Sequence, residues 1–178
     1  MRRYIRANTP GATYFFTLTL QERGARTLVD HIDQLRAAVT HVKAAHPFQI
    51  DAMVVLPDHL HALWTLPQHD ADFPLRWQLI KRGFTKRLLA DGQLDSCASA
   101  MRGRGERTLW QRRYWEHLVR DDADFGRHVD YIHFNPVKHG MVTRALEWPH
   151  SSFHRFVRNG RLPADWGIAV SAPGEFGE

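Results

Sequence analysis

Two β-rich runs held apart by a proline turn constrain the fold of this chain more than any other feature. Phe48 to Leu56 and His59 to Leu66 are dense in apolar, β-branched and aromatic residues, and Pro57-Asp58 lies between them, so the simplest arrangement is a hairpin. Ala12 to Leu20 (ATYFFTLTL), after a Pro10-Gly11 turn signal, reads as a further strand upstream, with Thr13, Thr17 and Thr19 set among aromatics and leucines. Between them, Asp30 to Ala45 carries Ile32, Leu35, Val39 and Val42 at helical spacing, with Asp30 as the expected N-cap and Pro47 beyond the end. Leu75 to Ala90 repeats the pattern with Leu75, Leu79, Phe84 and Leu88 inward, a basic outer face and Gly83 as an interruption. Leu109 to Arg120 reads as a fourth strand, although its amphipathic pattern also suits a helix. Asp121 to Lys138 is a helix with an acidic first turn, ended by Pro136 and Gly140.

The order β-α-β-β-α-β followed by a helix matches an α+β, ferredoxin-like sandwich: a four-stranded antiparallel sheet with two helices on one face, plus a C-terminal helix that bears Tyr131. Strands 1 and 3 are central neighbours in that topology. His59 and His61 then lie on a supported strand, on the face that the first two helices leave open. The 178 residues suffice for one domain. Residues 1–11 read as a basic leader, 91–107 as a flexible loop rich in Gly, Ser and Arg, and 141–178 as an extension with a disordered end from about Ser171.

Composition narrows the class. Lys and Arg number 24 against 19 Asp and Glu, giving +5 before any of the 12 histidines is charged, a balance that fits a polyanion partner but is also common among proteins that never touch one. Cys97 is the only cysteine, which excludes an intrachain disulfide and a cysteine metal cage and suits a reducing cytosol. No run approaches the ~20 apolar residues of a membrane span, and Met1 to Arg6 has no apolar core behind its charges, so neither a signal peptide nor an anchor is expected.

Chemistry enters through spacing. His59 and His61 are one residue apart on an expected strand, so both imidazoles project from one face and could share a cation; as a bare motif the pair also fits one hydrogen-bonded and one surface histidine. Tyr131 and Asn135 lie four apart on an expected helix and share a face, whereas His133 points elsewhere. A phenol is a poor nucleophile at neutral pH without a base or cation, and a divalent ion polarising a phosphate would supply the help. Asn135 could add an oxygen ligand to a His, His, Asn site suited to Mg²⁺ or Mn²⁺, or could simply end the helix ahead of Pro136. Together these groups suggest phosphodiester chemistry.

Three segments in this order, Val54-Val55-Leu56-Pro57-Asp58-His59-Leu60-His61, Leu109-Trp110-Gln111-Arg112-Arg113-Tyr114-Trp115-Glu116-His117 and His128 to Gly140 (HVDYIHFNPVKHG), resemble those of the REP-associated tyrosine transposases, domesticated relatives of the single-tyrosine HUH transposases. The likeness continues through Trp148 to His154 and Leu162 to Gly167 and so covers nearly the whole chain. It implies an HUH endonuclease acting on single-stranded DNA, usually with hairpins formed by repetitive extragenic palindromes (REP), in the nucleoid of a bacterial cytoplasm. In that chemistry a tyrosine attacks a DNA phosphate, leaving a 5′-phosphotyrosine link and a free 3′-OH. The resemblance makes His59 and His61 metal ligands and Tyr131 the nucleophile; Asn135 falls where insertion-sequence relatives carry a glutamine ligand, so this chain departs there with a shorter amide.

Tyr114, in a basic aromatic run, is the rival nucleophile. Expected DNA contacts are Arg112, Arg113 and Trp110 in that run, Arg76, Arg82 and Lys86 on the second helix, and Arg2, Arg3 and Arg6 in the leader, with Trp115 as an alternative stacking or core residue. No protein partner is implied. Two other classes stay open: a hairpin-binding protein that keeps the fold without cleavage, and an RNA-binding module reading bases with Tyr14, Phe15 and Phe16 on its sheet.

Overall fold

A computed structural model describes residues 8–93 and 109–168. Its elements are β1 (Thr13–Thr19), α1 (Thr27–Asp30), α2 (Ile32–Ala45), β2 (Gln49–Val55), β3 (His59–Thr65), α3 (Phe73–Ala90), β4 (Trp115–Leu118), α4 (Asp122–Lys138), a 3-10 turn (Ala145–Glu147) and α5 (Phe153–Arg158). The strands form one antiparallel sheet in the order β2-β3-β1-β4, as the ferredoxin-like reading requires.

Alternation along β1 builds both layers. Tyr14, Phe16 and Leu18 turn toward α2 and α3 and join Leu60, Ala62 and Trp64 of β3, with Trp64 stacked on Trp77 of α3 at 3.9 Å. Phe15, on the other face, joins Ala52, Val54 and Leu63 against Val129 and Ile132 of α4. α4 therefore covers β2 and β3 and leaves a cleft over β1 and β4. The segment after α4 pairs with the free edge of β2: Val55 N–H donates to the His150 carbonyl, and the Ser152 hydroxyl accepts from Met53 N–H at 2.9 Å. His133 of α4 fixes the same hydroxyl at 2.9 Å, so the extension closes an edge that would otherwise stay unpaired.

Several boundaries differ from the sequence reading. Asp30 is not an N-cap, because it ends a separate turn, α1, and His31 stands before α2 without a side-chain cap. α3 starts two residues before Leu75 because Asp72 accepts from Leu75 N–H and Pro74 occupies the first turn, where its missing N–H costs nothing. Gly83 sits inside α3 and faces Ala38 of α2, where a Cβ would meet Ala38 Cβ at 3.6 Å. The fourth strand shrinks to four residues: Trp110 makes one bridge to Leu20, and the polar Gln111-Arg112-Arg113 then leaves the sheet until Trp115 pairs with Thr17. Most of the 91–107 loop, the leader residues Arg2, Arg3 and Arg6, and the chain from residue 169 lie outside the described residues.

Candidate active site

The cross-strand register assembles the site. Thr17 of β1 stands between His61 of β3 and Trp115 of β4, and Thr19 stands opposite His59, so one row of side chains runs across the open face. With α4 as the opposite wall they enclose a cleft of about 390 Å³, lined also by Phe15, Arg23, Arg127, His128, Tyr131 and His139.

Each histidine of the pair is oriented by one hydrogen bond. His61 Nδ1 is 2.9 Å from the Thr17 hydroxyl, and its Nε2 is buried with no hydrogen-bond partner. His59 Nδ1 is 2.6 Å from Asp58 Oδ1, the carboxylate–imidazole pairing that fixes the tautomer of many metal-ligating histidines and leaves Nε2 for the ligand. Burial alone would raise the Asp58 carboxyl, but hydrogen bonds from His59 and Gly24 N–H, with the charge of Arg23 at 2.9 Å, hold it below its ordinary value. Burial lowers His59 despite Asp58, and burial together with the charges around His59, His139 and Lys138 puts His61 well below the usual range. Both rings are therefore neutral at pH 7, the form that coordinates a cation.

α4 carries the other wall. Asp121 accepts from Asp124 N–H to start the helix, and residues 131, 135 and 139 follow one another at four-residue intervals along the face toward β3. The Tyr131 ring lies edge-on to His61 at 5.0 Å and to Phe15 at 5.8 Å, and Lys138 Nζ sits 5.2 Å from its centroid. Asn135 is fully buried, and neither atom of its amide has a hydrogen-bond partner. Two orphaned amide atoms are costly, and an oxygen ligand to an ion would satisfy one of them. His139, which the sequence reading passed over, lies 5.3 Å from His59 ring to ring. The donor set of two imidazoles and an amide oxygen thus fits the divalent ion expected from the sequence.

A second group stands at the β4 end of the cleft. One ligand atom each from His117, Asp124 and His128 lie within 4.8 Å of one another, close enough to make a possible metal site. His117 Nε2 already binds Asp124 Oδ2 at 2.8 Å, Arg127 donates to Oδ1 at 3.1 Å, Arg120 N–H donates to Oδ2 at 3.1 Å, and His128 Nδ1–H donates to the Asp124 carbonyl at 2.8 Å.

Other expectations are redistributed. Arg76 cannot be a DNA contact: it is 2% exposed, and its guanidinium is taken up by Asp70 and by the carbonyls of His46, Pro47 and Asp72. Trp110 is 6% exposed in the core beside Phe84, which excludes it from stacking on a base, whereas Trp115 is 52% exposed at the cleft mouth. Arg82 and Lys86 are exposed on α3, across the sheet from the cleft, and Arg112 and Arg113 are exposed on the approach to β4. Tyr114 is half-buried against Phe16 and Lys81, behind the sheet and away from the cleft. Tyr14, Phe15 and Phe16 are buried under helices, so β1 offers no open aromatic platform for RNA. No helix among the described residues is long and apolar enough to cross a membrane.

No family model matches the chain. It is 43% identical over 166 residues to the REP-associated tyrosine transposase of Escherichia coli K12, covering 93% of this chain and 91% of that protein. A protein of the same description from Haemophilus influenzae is 43% identical over 168 residues, covering 94% of each. Among solved structures, a REP-associated tyrosine transposase bound to a REP hairpin superposes with a TM-score of 0.82 at 42% identity, over 97% of this chain and 94% of that one.

Proposed function

Because this chain belongs to the REP-associated tyrosine transposases, we propose that it is a metal-dependent single-stranded DNA endonuclease and strand transferase that acts on hairpins of REP type. The observation that carries the reading is the convergence of Tyr131 with two neutral imidazoles in one cleft, with the buried, unpartnered Asn135 amide one helical turn behind Tyr131 on α4. His59, His61 and Asn135 would hold Mg²⁺ or Mn²⁺. When bound, the ion supplies Lewis-acid polarisation of the scissile phosphate.

Tyr131 attacks that phosphorus; the new bond joins its phenol oxygen to the 5′-phosphate, and the bond to the 3′ oxygen breaks. The phenol gives up one proton and the departing strand ends as a 3′-OH, so the reverse reaction rejoins strands without any external energy source. Thr17 and Asp58 hold the two imidazoles in position, Lys138 places positive charge over the Tyr131 ring, and Arg23 and Arg127 offer cations to the strand backbone at the cleft. The solved relative bound to a REP hairpin supports a folded DNA hairpin as the substrate.

A labelled hairpin with single-stranded flanks, incubated with Mn²⁺ and resolved on a denaturing gel, tests this reading. The wild type is expected to form a covalent adduct. Tyr131→Phe is expected to lower its formation more than about a thousandfold, as removal of a nucleophile does, and Tyr114→Phe to leave it in place. Binding without adduct or nick would instead support a silent hairpin-binding protein.

A further inference from the structure

An exposed tryptophan beside a catalytic cleft needs a reason, because the indole is among the side chains that gain most from burial. Trp115 is the most exposed large apolar residue among those described, at 52%. Its ring is not isolated. It lies 9° from parallel with His117 at 5.8 Å, His117 lies 24° from parallel with His128 at 4.8 Å, and His128 meets Phe15 at 4.6 Å, next to Tyr131. Three rings therefore form a ladder that climbs from the cleft wall to solvent, and Trp115 is its open end.

One residue mounts the ladder. Asp124 takes His117 through its carboxylate and His128 through its carbonyl, so both rings are fixed by the first turn of α4, the helix that carries Tyr131. The same carboxylate holds Arg127, which lines the cleft. Hydrogen bonds that tie His117 Nε2 to the Asp124 carboxylate and His128 Nδ1 to its carbonyl make the cluster a support for the aromatic faces.

We propose that Trp115 is a nucleobase-stacking subsite, taking on its open face one unpaired base of the strand adjacent to the phosphate that Tyr131 attacks, with Asp124 as the positioning residue. Every nucleobase has a π face, and a planar ring added to the end of a stack gains contact without disturbing it. Thr17 lies between His61 and Trp115 in the register, so two strand spacings, roughly 10 Å, separate Trp115 from the metal pair. That distance suits a neighbouring nucleotide of the same strand. This subsite rests on the proposed single-stranded DNA chemistry.

The test is an abasic scan. A REP-type hairpin with single-stranded flanks is prepared with each flanking nucleotide in turn made abasic, and binding is measured by fluorescence anisotropy for the wild type, Trp115→Ala, Trp115→Phe and Asp124→Asn. In the wild type one flanking position is expected to be sensitive, with affinity falling about tenfold when its base is removed, the scale of one lost stack. Trp115→Ala should show the same loss on intact DNA and become indifferent to that position, and Trp115→Phe should recover most of the affinity. Asp124→Asn, which also releases Arg127, should weaken discrimination at that position. The subsite is overturned if Trp115→Ala binds intact hairpin like the wild type, or if its loss adds to the abasic loss instead of replacing it. Failure of the wild type to bind any hairpin would overturn the functional reading itself, and the subsite with it.

Discussion

The two ends of the cleft hold similar residues in opposite conditions. At the β3 end, His61 Nε2 is buried with nothing to bind, and so are both atoms of the amide of Asn135, on α4 between Tyr131 and His139. At the β4 end, His117, Asp124 and His128 lie closer to a conventional His/Asp ligand set, yet bind one another and the backbone. Proximity and residue type favour the second group; unsatisfied polar atoms favour the first. The proposed reading gives more weight to open valence than to clustering, since a buried unpartnered donor or acceptor costs about 1–3 kcal/mol unless something fills it.

The largest effect should come from removing one histidine of the open set. His61→Ala is expected to lower Mn²⁺ affinity at least about a hundredfold by isothermal titration, and His117→Ala to change it less than about threefold. A reversal of those outcomes would move the ion to the β4 end and break the comparison. An intermediate effect belongs to Asp58, which orients His59 without reaching the cleft. Asp58→Asn keeps the shape but replaces the acceptor charge, and should weaken Mn²⁺ about 10- to 100-fold, the usual range for a partner behind a ligand. Unchanged affinity would mean that backbone geometry alone holds His59.

Much of this was legible in the sequence. The hairpin, the sheet order and the shared face of His59 and His61 follow from period-two patterning around a turn, and Tyr131 with Asn135 follows from helical spacing; the comparison with relatives agrees on fold and family. His139 obeys the same four-residue interval and could have been found by extending it past Pro136, which looked like the end of the helix. What could not be read depends on partners distant in sequence. Arg76 looks like part of a basic helix face until Asp70 and the carbonyls of His46 and Pro47 are seen to converge on it. Trp110 and Trp115 lie on opposite faces, as strand alternation requires, but which of them is inward is settled only when Trp110 bridges Leu20 and Trp115 pairs with Thr17. Asp124 reads as an ordinary first-turn acid; its double hold on His117 and His128 appears only when β4 meets α4.

The smallest effect is a pH dependence carried by Asp124 of the closed set. Burial would raise the Asp124 carboxyl, but the hydrogen bonds from His117 and Arg120 N–H outweigh it and bring the group from 3.8 down to about 2. A carboxyl depressed in the folded state binds fewer protons than in the unfolded chain, so its contribution is present above about pH 4 and is lost as pH falls toward 2. That contribution is at most about 2 kcal/mol. Urea unfolding at pH 7 should therefore show Asp124→Asn less stable than the wild type by about 1–2 kcal/mol, with the two converging near pH 2. Adding Mn²⁺ should leave this difference unchanged, because the ion is proposed to bind at the other end of the cleft. Were Mn²⁺ to enlarge the stability gap between wild type and Asp124→Asn, the β4 cluster would be binding it, and the distinction between open and closed sets would fail at the residue chosen to define it.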